Sequence, residues 1–404
     1  MARSSAKREP TGVVLPTAGT VEGLGCTPGD ALFLGRTIGE RQERSFIAAG
    51  VRPGPDQPGA ERVFLANDVA VLHATVKAIL ELGRLKGEPI QVRPGGELAR
   101  FLLEAELGRR GVLAAYLPPG MDQLDAAALA ELPTVELPAQ ERLLDMPVHH
   151  TQFGADLIQV PVSDALLFPA SHWLQLLWAN LLGLGPFLWR GLVGPALPHV
   201  IWNIGRAWLG ARSLNPYRIG AQLGRRGKGC RVHPSAVLEG CWLGDGVEVG
   251  ANAVVRGCIL ADGAKVEELS VVDFSVLGKQ AMVQRQAMVR FCLLDPGCAC
   301  AGQMQLGVLG RDAALKHGAT LMDINYSQGV RVRAGQALHR APLGLAGVCV
   351  GPRSIIGSGI KVASGRAVPP DLVVLPNPAQ VLSRIPGRCE KGTYKLVDGG
   401  LETA

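Results

Sequence analysis

Two stretches of the chain carry residue types that can do chemistry. The first, RDAALKHGATLMDINYSQGVRVRAGQALHRAP at residues 311–342, holds His317 and His339, with Asp323 and Asn325 near them in sequence. An unperturbed imidazole titrates close to neutrality, so histidine is a residue type suited to a general base at either position. An exposed loop histidine without a role is the plainer alternative. Arg331, Arg333 and Arg340 in the same stretch suit an acidic carrier or the phosphates of a ligand, or else form a solvated face. The second stretch, TAGTVEGLGCTPGDALFLG at residues 17–35, offers Gly19, Gly23 and Gly25 as a backbone cradle for phosphate. No Lys or Arg lies between Arg8 and Arg36 to add positive charge to it. His149 and His150 are adjacent, and neighbours on a strand point to opposite faces, which argues against a metal pair.

These groups need elements to hold them, and the clearest element is a repeat. Aliphatic residues recur at Val232, Leu238, Leu243, Val249, Val255, Leu260, Val266, Val272, Leu277, Val283, Val289 and Leu294, in steps of five and six that add to a period of 17. Two places before each lies a mostly small residue, such as Ala236, Ala253 or Ala264, and residues two apart on a strand share a face. Each short strand therefore points one small and one branched side chain inward. Three strands close a triangular coil, and stacked coils bury an aliphatic column. Gly244, Gly246, Gly250 and Gly257 fall at the corners. Cys241, Cys258 and Cys292 share one inward position with Ser275, which makes a packing column rather than a metal site. A six-residue run at Val350, Ile356, Val362, Val368 and Val374 resumes the pattern, and VPPDLVVLPNP ends it. Residues 295–347 break the period and are expected to form a coil with an outward loop, or a pairing that departs from the pattern.

The first half of the chain alternates differently. GVVLPTAG, ERVFLAND, PIQVRPGG and VLAAYLPPG read as strands; TIGERQERSFIAAGV, VAVLHATVKAILELG and ELARFLLEAELGRRG read as helices. That order predicts a parallel sheet covered on both faces. With 404 residues, 47% apolar and 19% charged, and with 52 Gly and 28 Pro, the chain is a turn-rich protein of two domains, not a disordered or coiled-coil one. The nine Cys show no paired-ligand spacing, and MARSSAKREPTGVVLP lacks the apolar core of a secretory signal. Both features point to reduced thiols and a cytoplasmic location.

The repeat over residues 230–376 resembles the left-handed β-helix of the hexapeptide-repeat family, found in many acyltransferases and at the C-terminus of several sugar-phosphate nucleotidylyltransferases. TIGERQERSFIAAGV resembles the first helix of the two-domain nucleotidylyltransferases, and FPASHWLQLLWANLLGL the segment that leads out of their catalytic domain. The resemblance implies an α/β domain with a Rossmann-like parallel or mixed sheet over residues 1–164 and a helical connector over 165–228. A left-handed parallel β-helix over 229–387 and a tail over 388–404 complete it. It implies a role in nucleotide-sugar or surface-glycan metabolism, with a sugar phosphate or nucleotide sugar as ligand. Gly19, Gly23 and Gly25 would then meet the nucleotide, and Asp68 in LAND would hold Mg2+ unless it caps the helix expected after it, the reading preferred here. Phosphoryl transfer needs fixed positive charge on its oxyanions, and losing one such contact commonly costs about a hundredfold or more in rate. The loop has no such cation, which argues against nucleotidyl transfer. The same resemblance supports an acyltransferase with an acyl-CoA donor and His317 or His339 as base, or a non-catalytic scaffold. A homo-oligomer, often a trimer in such prisms, is also implied.

The connector is unusual in charge. Between Asp164 and Glu239 there is no acidic residue, while eight Lys or Arg fall there, so this segment carries +8 against +6 for the whole chain. Five of the six Trp lie in it. Its uncharged stretch ALLFPASHWLQLLWANLLGLGPFLW is long enough to raise a membrane span, but Pro169 and Pro186 bracket only sixteen residues, with His172, Gln175 and Asn180 among them. Two readings remain: a buried helix docking one domain on the other, or an interfacial helix pair. In the second, Trp173, Trp178, Trp189, Trp202 and Trp208 sit at headgroup depth, and Arg190, Arg206 and Arg212 meet anionic lipid. No nucleic-acid-binding module is recognisable.

Overall fold

A computed structural model of the protein describes residues 9–107, 111–138, 141–147, 157–194, 197–212, 219, 222–325, 328–385 and 392–403. His149 and His150 lie outside the described residues. The 17-residue period is a winding rule, and the C-terminal half obeys it as a left-handed β-helix of three parallel sheets. In one sheet Val249 pairs beside Val266, then Val283, Cys300, Leu315, Ile356 and Val374. Corresponding inward columns run Val255–Val272–Val289–Met304–Leu321 and Leu243–Leu260–Leu277–Leu294–Leu309–Val350, and these residues are buried together. Each buried aliphatic side chain of this size contributes about 1.5–3 kcal/mol, so the stacked columns are the main source of the prism's stability.

The prism does not stop at residue 295, where the sequence period fails. Met282 pairs with Ala299 seventeen places on, but Met288 pairs with Gln303 only fifteen places on. The two missing residues come out of the corner at Ala301–Gly302, where a side chain on Gly302 would sit 2.3 Å from the Ala319 carbonyl. The outward loop does exist. Val308 pairs with Cys349, so the chain leaves the prism after Leu321 and returns at Cys349. On the way it forms an antiparallel hairpin, Arg331–Ala334 with Ala337–Arg340. The corners are tight: Gly240, Gly257, Phe274, Phe291 and Leu306 all have positive φ, and Phe274 and Phe291 stack at 5.4 Å. A Cβ on Gly257 would meet the Phe274 ring at 2.8 Å.

The thiol column packs as expected. Cys258 and Cys292 are buried, and Ser275 between them donates to the Asp273 carbonyl at 2.7 Å while accepting from the Cys292 amide at 3.0 Å. Burial pushes the Cys292 thiol above its ordinary range.

In the N-terminal domain the first strand, β1 (Thr11–Leu15), leads to helix α1 (Ile38–Ala48). A capping box between Thr37 and Glu40 starts α1. The chain continues through β2 (Arg52–Pro53), β3 (Arg62–Ala66), β4 (Val69–Val71), α2 (Thr75–Lys86), β5 (Ile90–Arg93), α3 (Glu104–Leu107), β6 (Ala114–Leu117), α4 (Ala126–Ala130) and β7 (Thr134–Glu136). The sheet order is β2-β1-β3-β6-β5-β7. It is mixed, not all parallel: β6 runs antiparallel to both β3 and β5. A parallel return needs a crossover long enough to traverse the sheet. Here the expected helix ELARFLLEAELGRRG is broken into a 3-10 turn over Gly96–Phe101 and the four-residue α3.

A second difference concerns VAVLHATVKAILELG. Its first residues form β4, which pairs antiparallel with a strand at Leu167–Pro169, and the helix begins only at Thr75. Asp68 therefore does not cap a helix. It is buried in the turn between β3 and β4, and its carbonyl accepts from the Ala170 amide at 2.8 Å.

The connector begins with α5 (Trp173–Leu188), whose residues are almost all buried. Pro186 lies inside this helix rather than ending it, and a π-turn at Trp189–Val193 follows. Trp173–Val193 is long and apolar enough to cross a membrane by length and composition, yet 61% of its most apolar window is buried inside the fold. Its polar residues explain the burial. Asn180 bonds the Leu32 carbonyl and the Leu34 amide at 3.0 and 2.8 Å, and Gln175 donates to the Phe101 carbonyl at 3.0 Å. These bonds hold the helix against loops of the α/β domain. On its other side lies one face of the prism: Ile259, Val276, Leu293, Val308 and Cys349 share a single core with Val21, Leu24, Phe33 and Trp173. The two domains are thus joined through a continuous apolar interior.

Candidate functional site

The inserted hairpin decides which of the candidate side chains meet. Residues directly opposite on an antiparallel pair point to the same face. Val332 pairs with His339, and Val332 is fully buried, so His339 faces the α/β domain with it. Arg331, Arg333 and Arg340 take the other face and are exposed, with Arg331 directly opposite Arg340. Like charges in that arrangement repel, and no ion pair to these three arginines exists among the described residues.

His339 meets a carboxylate across the seam. Its Nδ1 lies 3.6 Å from Glu104 Oε2 on α3, within ion-pair range though longer than a hydrogen bond. The imidazole is mostly buried, whereas the Glu104 side chain is 79% exposed, so the pair opens to solvent on the carboxylate side. Such contacts commonly tighten only when a substrate is bound.

Sequence reasoning missed a second histidine here. His172 caps α5, its Nδ1 accepting from the Leu174 amide at 3.1 Å, and its Nε2 donates to the Arg333 carbonyl at 3.0 Å. Both ring nitrogens are engaged, which fixes the neutral tautomer. Burial lowers its pKa first, and the neighbouring His339 pushes the same way, against the Arg333 carbonyl and Glu22. His172 therefore positions the hairpin. Glu22 does the same from the glycine loop, both carboxylate oxygens accepting from the Gly335 amide at 3.0 Å. The signal in the sequence for His172 was its place just before an apolar helix, where a side chain able to accept from a backbone amide serves as cap.

The other candidates are dispersed. His317 is exposed at a prism corner, where its carbonyl accepts from the Gly359 amide at 3.2 Å, and nothing brings it to the hairpin. Asp323 is half-buried beside Arg290, and burial raises its pKa.

The glycine loop is occupied by protein. A Cβ on Gly23 would lie 2.7 Å from the Trp173 ring and 3.3 Å from Cys349 Sγ, while Val21 and Leu24 are buried against the prism. Gly19 and Gly25 have positive φ and open space around them. The first cations after the loop face elsewhere. Arg36 lies 3.7 Å from Glu40, and Arg41 is turned onto the Phe33 and Leu34 carbonyls and over the Phe187 ring at 4.3 Å. Gly23 thus belongs to the docking contact between the domains, while Gly19 and Gly25 stay clear of it. No group of three or more His, Cys, Asp or Glu that could hold a metal ion exists among the described residues.

The tryptophans divide. Trp173 and Trp178 are 1% and 6% exposed and belong to the interdomain core, which corrects their assignment to a surface. Trp189, Trp202, Trp208, Arg190, Arg206 and Arg212 are exposed.

A comparison with curated protein sequences found no match. Among solved structures, a hexapeptide transferase family protein from Anaplasma phagocytophilum is 14% identical and covers 38% of this chain and 75% of its own, with a TM-score of 0.21. A "putative acetyltransferase" from Bacillus cereus is also 14% identical, covering 38% of this chain and 79% of its own, with a TM-score of 0.18. Scores of this size carry no functional argument. The family model "GlmU-like, C-terminal hexapeptide" matches residues 251–320, a stretch that lies wholly within the prism described above.

Proposed function

We propose that the protein is a hexapeptide-type acyltransferase with an acyl-CoA donor, in which His339 is the general base. The observation that carries this reading is the His339–Glu104 pair at the seam between hairpin and α/β domain, 3.6 Å apart. Glu104 lies on the Nδ1 side of the ring, leaving Nε2 to take the proton from an acceptor hydroxyl or amine. The acceptor oxygen or nitrogen then bonds to the thioester carbonyl, the carbon–sulfur bond breaks, and the thiolate leaves with the proton returned by the imidazolium. Such a base contributes typically 10²–10⁴ in rate. The unpaired face of Arg331, Arg333 and Arg340 supports a phosphate-bearing donor such as coenzyme A. The α/β domain supplies the acceptor side, with a sugar phosphate or nucleotide sugar as the class its resemblance suggests.

A ligand that binds only the folded state raises the melting temperature by mass action. The test is a thermal-shift series with acetyl-coenzyme A, sugar nucleotides, and nucleoside triphosphates with magnesium. Stabilisation by acetyl-coenzyme A, weakened by Arg331→Gln with Arg340→Gln, supports the reading. A response to nucleoside triphosphates alone overturns it.

A further inference from the structure

The final helix of the connector, α6 (Leu197–Ala211), is built inside out. Ala207 is its buried residue, and Asn203 ties it to the body by donating to the Val193 carbonyl at 2.9 Å. At 100° per residue, Val200, Asn203 and Ala207 mark the inner side. The outer arc carries Leu197, Ile201, Ile204, Trp208, Trp202 and Leu209, each a large apolar side chain left exposed. The two indoles are 72% and 48% exposed; with roughly 150–250 Å² per aromatic side chain, they alone leave about 180–300 Å² open. Adding the four aliphatics brings the patch to the size that marks an interaction site on a soluble protein. Trp189, just before the helix, is exposed as well.

The charge around this face is of one sign. Arg206 is exposed beside Trp202 on the wheel, Arg212 closes the helix, and Arg190 is exposed in the preceding π-turn. The whole segment between Asp164 and Glu239 has no carboxylate to offset them. A second copy of this chain would bring the same cations against these, and self-association would set like charge on like charge. A partner with a broad negative surface and an apolar interior satisfies both features.

We infer that α6 docks on an anionic lipid surface, its apolar arc entering the headgroup boundary while Arg190, Arg206 and Arg212 meet lipid phosphates. α6 contains none of the residues of the His339 seam, so the inference is independent of the acyl-transfer reading. α5 anchors the device, because its burial in the interdomain core holds α6 outside.

The experiment is co-sedimentation of the full chain with phosphatidylcholine vesicles, with and without 30% phosphatidylglycerol, at two salt concentrations. Binding is expected to the anionic vesicles, to fall with salt, and to blue-shift tryptophan emission. Trp202→Ala with Trp208→Ala should abolish the shift without changing the melting temperature, since both side chains are exposed. Arg206→Gln with Arg212→Gln should weaken binding roughly 25-fold, at about fivefold for each arginine near an anionic surface. Absence of binding, or binding equal on neutral vesicles, overturns the inference. So does a concentration-dependent dimer in light scattering that the Trp202→Ala, Trp208→Ala variant dissolves, because the face would then join two copies.

Discussion

Leu293 tests whether the prism and the α/β domain form one unit. Its neighbour Leu294 points into the prism, so Leu293 points out, toward what would be solvent in an isolated β-helix. Here it is fully buried among residues of both domains. Leu293→Ala should therefore behave as a core truncation and cost about 2–5 kcal/mol. Unfolding entropy of about 2.1 cal/mol/K per residue over 404 residues converts a 3 kcal/mol loss into a drop of roughly 3–4 °C, if both domains melt together. Met288 is the control: it occupies the same outward position on the adjacent sheet of the same coil and is only half-buried. Met288→Ala should lower the melting temperature by no more than about 1 °C. Differential scanning calorimetry measures both variants and shows whether one transition or two is present. Equal shifts for the two variants, or a wild-type protein that melts in two separate transitions, would refute the docked arrangement.

The same seam gives a second, functional prediction. His339→Asn should reduce acyl transfer by a factor of 10²–10⁴ with little change in acyl-CoA affinity, and Glu104→Gln should lower kcat by a smaller factor; His317→Asn should leave the rate unchanged. Asp295 is buried, and desolvation raises its carboxyl from an ordinary 3.8 to about 7, with Arg311 opposing. Its folded form thus holds the proton longer than the unfolded chain, so its contribution is fully present below about pH 4 and is lost as pH rises through 7. Asp295→Asn should remove that loss and stabilise the protein by roughly 2–4 kcal/mol at pH 8, seen as a flatter dependence of urea midpoint on pH between 5 and 8. Finally, Cys258, Cys292, Cys298, Cys300 and Cys349 are buried with thiols raised by desolvation. Brief iodoacetamide treatment of the native protein followed by peptide mass spectrometry should find these five unmodified, and denaturant should expose them. Rapid native labelling of Cys258 would contradict a dry column.

The sequence by itself determined the winding of the C-terminal half, because an inward side chain every fifth or sixth residue has one way to be buried when three strands make a coil. It also determined the start of α1, since Thr37 and Glu40 satisfy that helix's free amides locally. Both are short-range consequences of residue type and spacing. It did not determine which prism face would be covered. Ile259, Val276 and Leu293 on the docked sheet look no different in the sequence from Val254, Val271 and Met288 on the adjacent one. Nor did it show that Gly23 would make room for Trp173, or that β6 would enter the sheet antiparallel once the helix before it broke. His339 met Glu104, and His172 met Arg333, over separations of 235 and 161 residues. Only tertiary packing decided these. An outward side chain takes its environment from whatever surface arrives against it, and no local pattern records what that surface will be.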